Sequence, residues 1–248
     1  MGAMRTIEGF TAVVTGASAG IGEATAHTLA SAGVDLVLGA RREERLESIA
    51  ATLRDDHGVA VTPVRTDVTE REDVDRLVET AVAEHGSLDV LVNNAGMAHA
   101  GDVESMADEE YRRMMAVNTD GMFYATRAAL PHLRETRGVV VFVGSFAGQY
   151  PRAANPVYAA TKWWTRGFAH SLQGQVGEDG VAVSVINPSE VRTEFGSQRG
   201  APATERFEEG EVTDPTAIAE AIRFAVQQDR VDTVSELNLY RRDKFTGF

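Results

Sequence analysis

Residues 10–22 read FTAVVTGASAGIG, an apolar and β-branched run that passes directly into a glycine-rich turn. A short run of this kind predicts a strand that is buried on both faces. Gly16, Gly20 and Gly22 suit a tight turn, and the residues that follow them read as a helix. The stretch therefore predicts a strand, a turn and a helix in immediate succession, the unit with which dinucleotide-binding parallel sheets begin.

The same alternation continues to the end of the chain. Helical segments separate further short apolar segments, at residues 34–38, 59–64, 88–92, 139–143, 181–186 and 233–239. Short apolar strands separated by helices are typical of a parallel sheet that is covered on both faces. We predict an α/β fold, a doubly wound and mostly parallel Rossmann-like sheet with helices on both faces, as a single domain over residues 1–248. Residues 193–213 are the one long irregular stretch, and we predict a substrate lid there.

The net charge of −13 narrows the classes of partner. An acidic surface repels nucleic acids and anionic membranes, so we expect neither as a partner. No apolar run is long enough to cross a membrane and none resembles a signal peptide, so we expect a cytoplasmic protein. Lys162 and Lys244 are the only lysines. An acid-rich, lysine-poor surface suits high salt, so salt adaptation and a merely acidic surface are both open hypotheses.

Metal chemistry is not expected from this sequence. The chain has no cysteine, which excludes disulfides, thiolate metal sites and cysteine nucleophiles. The six histidines are scattered, and none has the spacing of a metal-ligand motif. We therefore predict that the protein binds no metal ion.

The glycine-rich turn and the end of the second strand predict a cofactor site. The free N–H groups and the positive dipole end of a helix start suit a pyrophosphate. A site for NAD normally has an acidic residue after the second strand, where it binds the ribose hydroxyls. Here Arg41 and Arg42 follow that strand, and two guanidinium groups suit a 2′-phosphate. We therefore predict NADP(H) as the cofactor.

Tyr158 and Lys162 lie four residues apart in a predicted helix over residues 156–175, and so share one helix face. An ammonium group beside a phenol favours the phenolate, so we expect Lys162 to lower the pKa of Tyr158 toward neutral pH. A tyrosine with such a pKa can donate or accept a proton during catalysis. Polar residues also follow three predicted strands, at Asn93–Gly96, Ser145 and Asn187. Because the carboxyl ends of parallel strands meet at one edge, we expect them to line the same crevice.

In this order, TGASAGIG (15–22), Asn93-Asn94-Ala95-Gly96, Asn118, Ser145 and Tyr158-x-x-x-Lys162 resemble the short-chain dehydrogenase/reductase family in its single-domain form. The resemblance covers essentially the whole chain. It implies an NADP-dependent oxidoreductase acting on CH–OH and C=O groups, with Tyr158 as the general acid/base. It further implies that Lys162 tunes Tyr158 and holds the nicotinamide ribose, that Ser145 polarises the substrate oxygen, and that Asn118 positions a water linked to Lys162.

The resemblance also implies the residues that contact the cofactor. Beside Tyr158 and Lys162 these are Gly16, Ser18, Ala19, Gly20, Ile21, Gly22, Arg41, Arg42, Asp67, Val68, Asn94, Ala95, Gly96, Pro188, Val191 and Thr193. Two positions depart from the family pattern. Ser189 follows Pro188 where the family usually has glycine. Ala19 stands where many NADP-preferring relatives have a basic residue, so Arg41 and Arg42 must provide the selectivity.

The substrate is the least determined part of the prediction. We expect the lid to cover a pocket lined by Ser145, Phe146, Gln149, Tyr150, Asn155, Glu190 and Phe195. The chain resembles NADP-dependent dehydrogenases of 3-hydroxy acids and serine, whose substrate carboxylate could pair here with Arg152, Arg192 or Arg199. A small-ketone or alcohol reductase, a 3-oxoacyl reductase and a catalytically silent NADP-binding sensor stay open, although the complete set of four catalytic residues argues against the sensor.

The resemblance implies a homodimer or homotetramer that pairs through the helices around Asn118 and Tyr158. One of Trp163 and Trp164 is expected to pack in the core and the other against a second subunit. We expect residues 240–248 to dock on a neighbouring subunit or to fray.

Overall fold

The protein is described by a computed structural model that covers residues 4–99, 101–195 and 202–246. Within these ranges seven strands form one sheet in which every ladder is parallel. The strands are Thr11–Thr15 (β1), Asp35–Ala40 (β2), Val61–Arg65 (β3), Val90–Asn93 (β4), Val139–Val143 (β5), Ala182–Pro188 (β6) and Glu236–Leu239 (β7). Their order across the sheet is β3-β2-β1-β4-β5-β6-β7, which confirms the predicted doubly wound fold.

Helices cover both faces of the sheet, and each face has its own apolar core. The helices are Gly20–Ala30 (α1), Glu43–His57 (α2), Arg71–His85 (α3), Asp108–Met115 (α4), Gly121–Thr136 (α5), Pro156–Val176 (α6), Ala203–Arg206 (α7) and Pro215–Val226 (α8). On one face the buried side chains of α1, α2 and α8 pack together. On the other face those of α3, α5 and α6 do so. Short 3₁₀ turns at Phe146–Gly148 and Gly177–Asp179 complete the regular elements.

The central strands are apolar throughout because both of their faces are covered. In β1, Ala12 and Val14 face the core of α1, α2 and α8, whereas Val13 faces the core of α3, α5 and α6. All three side chains have no exposed surface. Successive side chains of β1 therefore alternate between two buried faces of the sheet, and neither face is exposed to solvent here.

The strand order positions a crevice at the carboxyl edge of the sheet. After β3 the chain crosses back and β4 pairs with β1. In doubly wound sheets the crevice at such a reversal is where ligands bind. Pro63 lies within β3, which is an edge strand and therefore tolerates a residue without an N–H donor.

Residues 108–134, whose sequence predicts one long helix, contain a feature that this prediction does not indicate. Between α4 and α5 the residues Ala116–Asp120 form a π-helical segment, in which the Gly121 N–H donates to the carbonyl oxygen of Ala116. Such segments are frequent at functional sites because the wider turn redirects side chains. Asn118 lies in the middle of this segment and is completely buried.

No helix in the described ranges is long and apolar enough to cross a membrane. In the same ranges no group of three or more histidine, aspartate or glutamate side chains is arranged to hold a metal ion.

Candidate active site

The turn after β1 requires glycine at two of its positions. Gly16 and Gly20 have φ angles of 68° and 59°, a left-handed conformation that side chains disfavour. A Cβ on Gly16 would lie 2.9 Å from the Ala95 Cα, and one on Gly20 would lie 2.9 Å from the Thr193 Cγ2. The turn is therefore packed between the segment after β4 and the segment after β6.

Asn94 and Thr15 fasten the end of β4 to this turn. The Asn94 side chain donates to the carbonyl oxygens of Thr15 at 2.9 Å and Gly16 at 3.2 Å. The Thr15 hydroxyl oxygen accepts from the N–H groups of Asn94 and Ala95, both at 3.1 Å. Asn94 was predicted as a site residue, whereas the bridging role of Thr15 was not, because it depends on strand pairing that the sequence does not show.

The start of α1 is suited to an anion. Ala19, the residue before the helix, has an extended backbone and offers no side chain to cap the first turn. The first N–H groups of a helix have no partner within it, and the helix dipole adds a partial positive charge there. A pyrophosphate fits this donor set, and the glycine turn leaves the room that a Cβ would fill.

Two arginines and a glutamate form a cluster beside this turn. Arg42 donates from Nε to the Ser18 hydroxyl at 3.1 Å and forms an ion pair with Glu194 at 2.8 Å. Arg45 forms a second ion pair with Glu194 at 2.9 Å. The hydrogen bonds from Arg42 and Arg45 lower the pKa of the Glu194 carboxyl below its ordinary value. Arg41 is exposed and has no hydrogen bond or ion pair with any described residue.

Sequence reasoning found Arg42 of this cluster, together with its neighbour Arg41, but missed Arg45 and Glu194. Arg45 lies one helical turn after Arg42, so the i, i+3 spacing could have indicated it. Glu194 is 149 residues from Arg45 in the chain, and no local pattern joins them.

Asp67 and Val68 follow β3 and border the same crevice. The Asp67 carboxylate accepts from the Thr69 hydroxyl at 2.8 Å and so shapes its own turn. Val68 is buried, and a Cβ on Gly121 of α5 would lie 3.0 Å from its side chain. This packing fixes the wall where the adenine was expected.

Ser145 and Tyr158 lie close enough for the Ser145 hydroxyl to act on the Tyr158 phenol, while the Ser145 Oγ accepts from the Ala147 N–H at 3.1 Å. Tyr158 is half-buried, and burial raises its pKa to about 12, while the nearby Ser145 hydroxyl and the charge of Arg152 lower it only in part. The expectation that Lys162 lowers this pKa is therefore wrong for the protein as described. The physical reason is that removing the phenol from water disfavours the phenolate more strongly than nearby charges favour it.

Lys162 lies behind the tyrosine and is almost fully buried, with 4% of its surface exposed. Its ammonium group donates to the Val143 carbonyl oxygen at 2.8 Å and lies 5.9 Å from the centre of the Tyr158 ring. Burial lowers the pKa of Lys162 to about 8. The ammonium group is thus held by the end of β5 and not by the phenol.

Asn118 joins three parts of the site. Its side chain accepts from the Met97 N–H at 2.8 Å and donates to the Met97 carbonyl oxygen at 2.8 Å. It also donates to the Thr161 hydroxyl at 3.0 Å. A Cβ on Gly96 would lie 3.5 Å from the Asn118 Oδ1 and 3.9 Å from the Lys162 Nζ. All four predicted catalytic residues therefore lie in one contiguous group.

The backbone of Ser145 is positioned by residues that sequence reasoning did not assign. The Asn187 Oδ1 accepts from the Ser145 N–H at 3.1 Å. The Asn187 Nδ2 donates to the Glu236 carboxylate at 2.7 Å, and Arg166 forms a bidentate pair with that carboxylate at 2.9 and 3.0 Å. Hydrogen bonds from Arg166 and Gln149 keep the pKa of Glu236 below its ordinary value although burial opposes this.

The carboxyl-terminal segment, residues 240–246, folds back on this chain. Phe146 stacks on Tyr150 with ring centres 4.4 Å apart, and the Phe245 ring packs against both at 5.8 and 5.5 Å. Tyr240 donates to the Gln149 Oε1 at 2.5 Å. We expected this segment to dock on a neighbouring subunit or to fray, whereas its described part covers residues that we assigned to the substrate pocket.

Gln149 and Glu190 are both engaged within the protein. The Gln149 Nε2 donates to Glu236 and to Asn238, so a substrate would have to compete with these bonds. Glu190 forms an ion pair with Lys244, while its other oxygen is buried and has no hydrogen bond partner among the described residues.

Asn155 and Phe195 lie beside Tyr158. The Asn155 Oδ1 is also buried without a hydrogen bond partner among the described residues. The Phe195 ring is 6.0 Å from the Tyr158 ring and is 41% exposed.

The three arginines considered for a substrate carboxylate differ in position. Arg152 lies 5.7 Å from the centre of the Phe146 ring, and its charge reaches Tyr158. Arg192 donates to the Phe207 carbonyl oxygen at 3.2 Å and thereby holds the far side of the lid. Arg199 lies outside the described residues, as do the lid residues 196–201.

The segment expected to border the nicotinamide follows β6. Pro188 ends this strand, and Val191 forms a bridge with Thr213 at the other end of the lid. Ser189, the departure from the family pattern, accepts from the Arg241 N–H at 3.0 Å. Its hydroxyl therefore helps to hold the carboxyl-terminal segment.

Comparison with known proteins agrees with this fold. The family model for short chain dehydrogenases matches residues 10–203. An uncharacterised oxidoreductase of Staphylococcus saprophyticus is 33% identical over 240 residues, which cover 94% of this chain and 96% of that protein. An alcohol dehydrogenase of the archaeon Thermococcus sibiricus, solved with 5-hydroxy-NADP, is 34% identical with a TM-score of 0.85, over 93% of this chain and 95% of that one.

A 3-ketoacyl-(acyl-carrier-protein) reductase of Brucella melitensis, solved with NADH, is 30% identical with a TM-score of 0.83, over 94% of this chain and 97% of that one. The fold and the crevice define a dinucleotide-dependent oxidoreductase. The chain belongs to the short-chain dehydrogenase/reductase family and is an alcohol/ketone oxidoreductase.

Proposed function

We propose that the protein is an NADP(H)-dependent oxidoreductase that transfers hydride between the nicotinamide and the carbon of a carbonyl or secondary alcohol, with Tyr158 as general acid/base. The observation that carries this proposal is the grouping of three residues: the Ser145 hydroxyl acts on the Tyr158 phenol, and the ammonium group of the buried Lys162 lies 5.9 Å from the centre of the Tyr158 ring. Hydride chemistry belongs to the cofactor, and the protein has to supply orientation and a proton.

In carbonyl reduction, Tyr158 donates its hydroxyl proton to the substrate oxygen as negative charge develops there. The raised pKa of Tyr158 keeps the phenol protonated at neutral pH, which suits this direction. Ser145 supplies a second donor to the same oxygen. In alcohol oxidation the proton returns to the tyrosine oxygen, so the same two residues serve the reverse reaction.

Lys162 and Asn118 support Tyr158 from behind. We assign to the Lys162 ammonium the tasks of holding the nicotinamide ribose and stabilising the phenolate when it forms. Asn118 is assigned the positioning of a water near Lys162, because the two side chains approach the same point beside Gly96. The lowered pKa of Lys162 means that its proton can be exchanged near neutral pH.

The arginine cluster supports NADP(H) rather than NAD(H). The Arg41 side chain has no partner among the described residues, Arg42 bonds to Ser18 in the glycine turn, and Arg45 shares the Glu194 carboxylate with Arg42. A 2′-phosphate would receive charge-assisted hydrogen bonds there. The archaeal relative was solved with an NADP derivative, whereas the Brucella reductase was solved with NADH. The choice within this chain therefore depends on its own arginines.

For the substrate we propose a small ketone or a 3-oxo or 3-hydroxy acid. Arg152 is the cation that supports an acid group, because its charge reaches Tyr158. A 3-oxoacyl-type reductase is the second candidate, and the similarity to the Brucella reductase favours it. We further propose residues 1–248 as one catalytic domain whose residues 193–213 act as the lid.

We propose a homodimer or homotetramer that pairs through the surface of α5 and α6. Phe123 and Trp163 are exposed on these helices, at 40% and 47% of their surface. Trp164 stacks instead on Phe168 with ring centres 4.7 Å apart. We expected one tryptophan in the core and the other against a second subunit; Trp164 is partly buried against the core of α3, α5 and α6, and we propose that Trp163 is the one that contacts the second subunit.

The proposal is tested by a panel of ketones, 3-oxo acids and a 3-oxoacyl thioester, each offered with NADPH and with NADH. We expect the protein to oxidise NADPH with at least one of them. Tyr158→Phe should reduce turnover by about 10²–10⁴-fold because it removes the transferred proton. Its dissociation constant for NADPH should stay close to that of the wild type, which is the control for intact folding.

A silent NADP-binding sensor is the alternative from another class. It would bind NADPH tightly and turn over no member of the panel. Tyr158→Phe would then change neither the turnover nor the dissociation constant for NADPH. Turnover that survives in Tyr158→Phe would remove the assignment of the general acid.

A further inference from the structure

Residues 193–195 form a strap that crosses the crevice from the glycine turn to the catalytic tyrosine. Thr193 packs against Gly20, where a Cβ would lie 2.9 Å from the Thr193 Cγ2. Glu194 forms ion pairs with Arg42 and Arg45. Phe195 packs near Tyr158, with ring centres 6.0 Å apart. The Glu194 carboxylate is therefore the anion that the arginine cluster holds.

The Glu194 carboxylate uses the donors that a phosphate would use. One of its oxygens accepts from Arg42 at 2.8 Å and from Arg45 at 3.1 Å, and the other accepts from Arg45 at 2.9 Å. Arg42 is also fixed to the glycine turn, because it donates to the Ser18 hydroxyl and to the Ser18 carbonyl oxygen, both at 3.1 Å. The cluster thus lies at the edge of the dinucleotide site.

We propose that Glu194 is a specificity-determining residue whose carboxylate competes with the 2′-phosphate of the cofactor for Arg42 and Arg45. This inference rests on the proposed use of NADP(H). A carboxylate repels the phosphate and occupies its donors, so it lowers the affinity for NADP(H). It has no such effect on a ribose hydroxyl, which is uncharged and can donate to a carboxylate. Glu194 therefore reduces the preference for NADP(H) over NAD(H) that the arginines create.

The competition also depends on exposure and salt. The side chains of Arg42, Arg45 and Glu194 are each about half exposed, at 44%, 51% and 50%. Exposed charge pairs are worth little each and are screened by salt. Removing the Glu194 charge should therefore change the dissociation constant for NADP(H) only severalfold. This change should become smaller as the salt concentration is raised.

The test is Glu194→Gln, which keeps the size of the side chain and removes the charge. Dissociation constants are measured in full-length protein for NADPH and NADH, and for 2′,5′-ADP and ADP, which lack the nicotinamide. We expect Glu194→Gln to tighten NADPH and 2′,5′-ADP by about two- to fivefold at low salt. NADH and ADP should change by less than the error of the measurement.

Two variants serve as controls. Glu79→Gln removes an exposed charge from α3, outside the predicted lid, and should change no dissociation constant. Arg42→Ala combined with Arg45→Ala should weaken NADPH and abolish the gain that Glu194→Gln produces. A gain that persists without the two arginines would mean that Glu194 acts on the phosphate by another route, and would overturn the proposed competition.

The other outcomes are equally decisive. Weaker or unchanged NADPH binding in Glu194→Gln would overturn the inference, because Glu194 would then orient the arginines or act independently of them. Equal tightening of NADPH and NADH would overturn it as well, since the effect would lie in the strap and not at the phosphate. A wild-type protein that binds NADPH no tighter than NADH would contradict the proposed cofactor preference, yet the effect of Glu194→Gln on each cofactor would still be read separately.

Discussion

Lys162 places an ammonium group where almost no water reaches it. Its single described hydrogen bond goes to the Val143 carbonyl oxygen, and burial lowers its pKa to about 8. The ordinary pKa of lysine is 10.5, so Lys162 binds its proton less tightly in the folded protein than in the unfolded chain. The buried charge is a cost to the fold that the proposed catalytic role of Lys162 would explain.

We predict that this cost is visible as a pH dependence of stability. Between pH 8 and 10.5 the unfolded lysine keeps its proton while the folded one releases it, so the free energy of unfolding rises with pH in this window. From pH 8 to 10 the gain should approach about 2–3 kcal/mol relative to Lys162→Met. The measurement is urea unfolding of both proteins at pH 7, 8, 9 and 10. Folded Tyr158 stays protonated over this range, and the tyrosines of the unfolded chain, with a pKa of about 10, ionise alike in both proteins. Two parallel pH curves would contradict the prediction.

The pair of Tyr158 and Lys162 also shows what the sequence could and could not predict about single residues. The i, i+4 spacing correctly indicated one helix face and a shared site. It gave the wrong direction for the pKa of Tyr158, because a spacing contains no information about burial. It also could not show that the ammonium group bonds to the end of β5.

The carboxyl ends of β5, β6 and β7 are joined by one side chain, that of Asn187. It accepts from the Ser145 N–H after β5 and donates to Glu236 and Asn238 in β7. Gly144 leaves the room for it, since a Cβ there would lie 2.0 Å from the Asn187 Oδ1. The loop that presents Ser145 is thus positioned by its neighbouring strands.

We predict that Gly144→Ala displaces the Asn187 amide and impairs both stability and turnover. Overpacking and the lost hydrogen bonds should destabilise the protein by about 1–3 kcal/mol. Gly167→Ala in α6 is the matched control, because a Cβ there meets nothing within 4 Å. In a helix interior that change should stabilise by about 0.5–1 kcal/mol. Chemical denaturation gives the free energy of unfolding of the two variants, and steady-state assays give their turnover. Equal stability and turnover in Gly144→Ala and Gly167→Ala would refute the prediction.

The regular elements were largely predictable because their apolar periods are strong. Every predicted strand and long helix is present, with ends that shift by a few residues. The π-helical segment around Asn118 was not predictable, since its residues fit an ordinary helix equally well. Asn118 in this segment contacts Met97 and Thr161, which lie far apart in the chain, so no local pattern indicates them.

The whole molecule carries a net charge of −13, and many of its acidic side chains are exposed. Mutual repulsion among these charges opposes the compact state, and salt screens it. We predict that raising KCl from 0.1 to 1 M increases Tm by a few degrees, which corresponds to about 1 kcal/mol in the free energy of unfolding. The combined variant Glu79→Gln, Glu109→Gln and Glu135→Gln separates screening from general salt effects. At low salt this variant should have a higher Tm than the wild type, and KCl should raise its Tm by less. An equal rise in Tm for the two proteins would argue against charge repulsion.

Long-range arrangement is where the sequence was least informative. Residues 193–195 and 240–246 both cover the crevice, and both are placed by partners more than 50 residues away, such as Arg42 for Glu194 and Glu190 for Lys244. The family resemblance indicated the crevice itself, because its motifs lie at strand ends. Pairings of exposed charges and aromatic rings on irregular segments leave no periodic signal.

The folded-back carboxyl-terminal segment has a practical consequence for handling the protein. A tag or a surface tether fused at the carboxyl end would follow closely on Phe245, which packs against Phe146 and Tyr150. At the amino end Arg5 bonds to the carbonyl oxygens of Val226 and Gln227, after the end of α8 and at the opposite edge of the sheet. Attachment through the amino end should therefore preserve the crevice in biosensors and immobilised reactors, whereas attachment through the carboxyl end should disturb it.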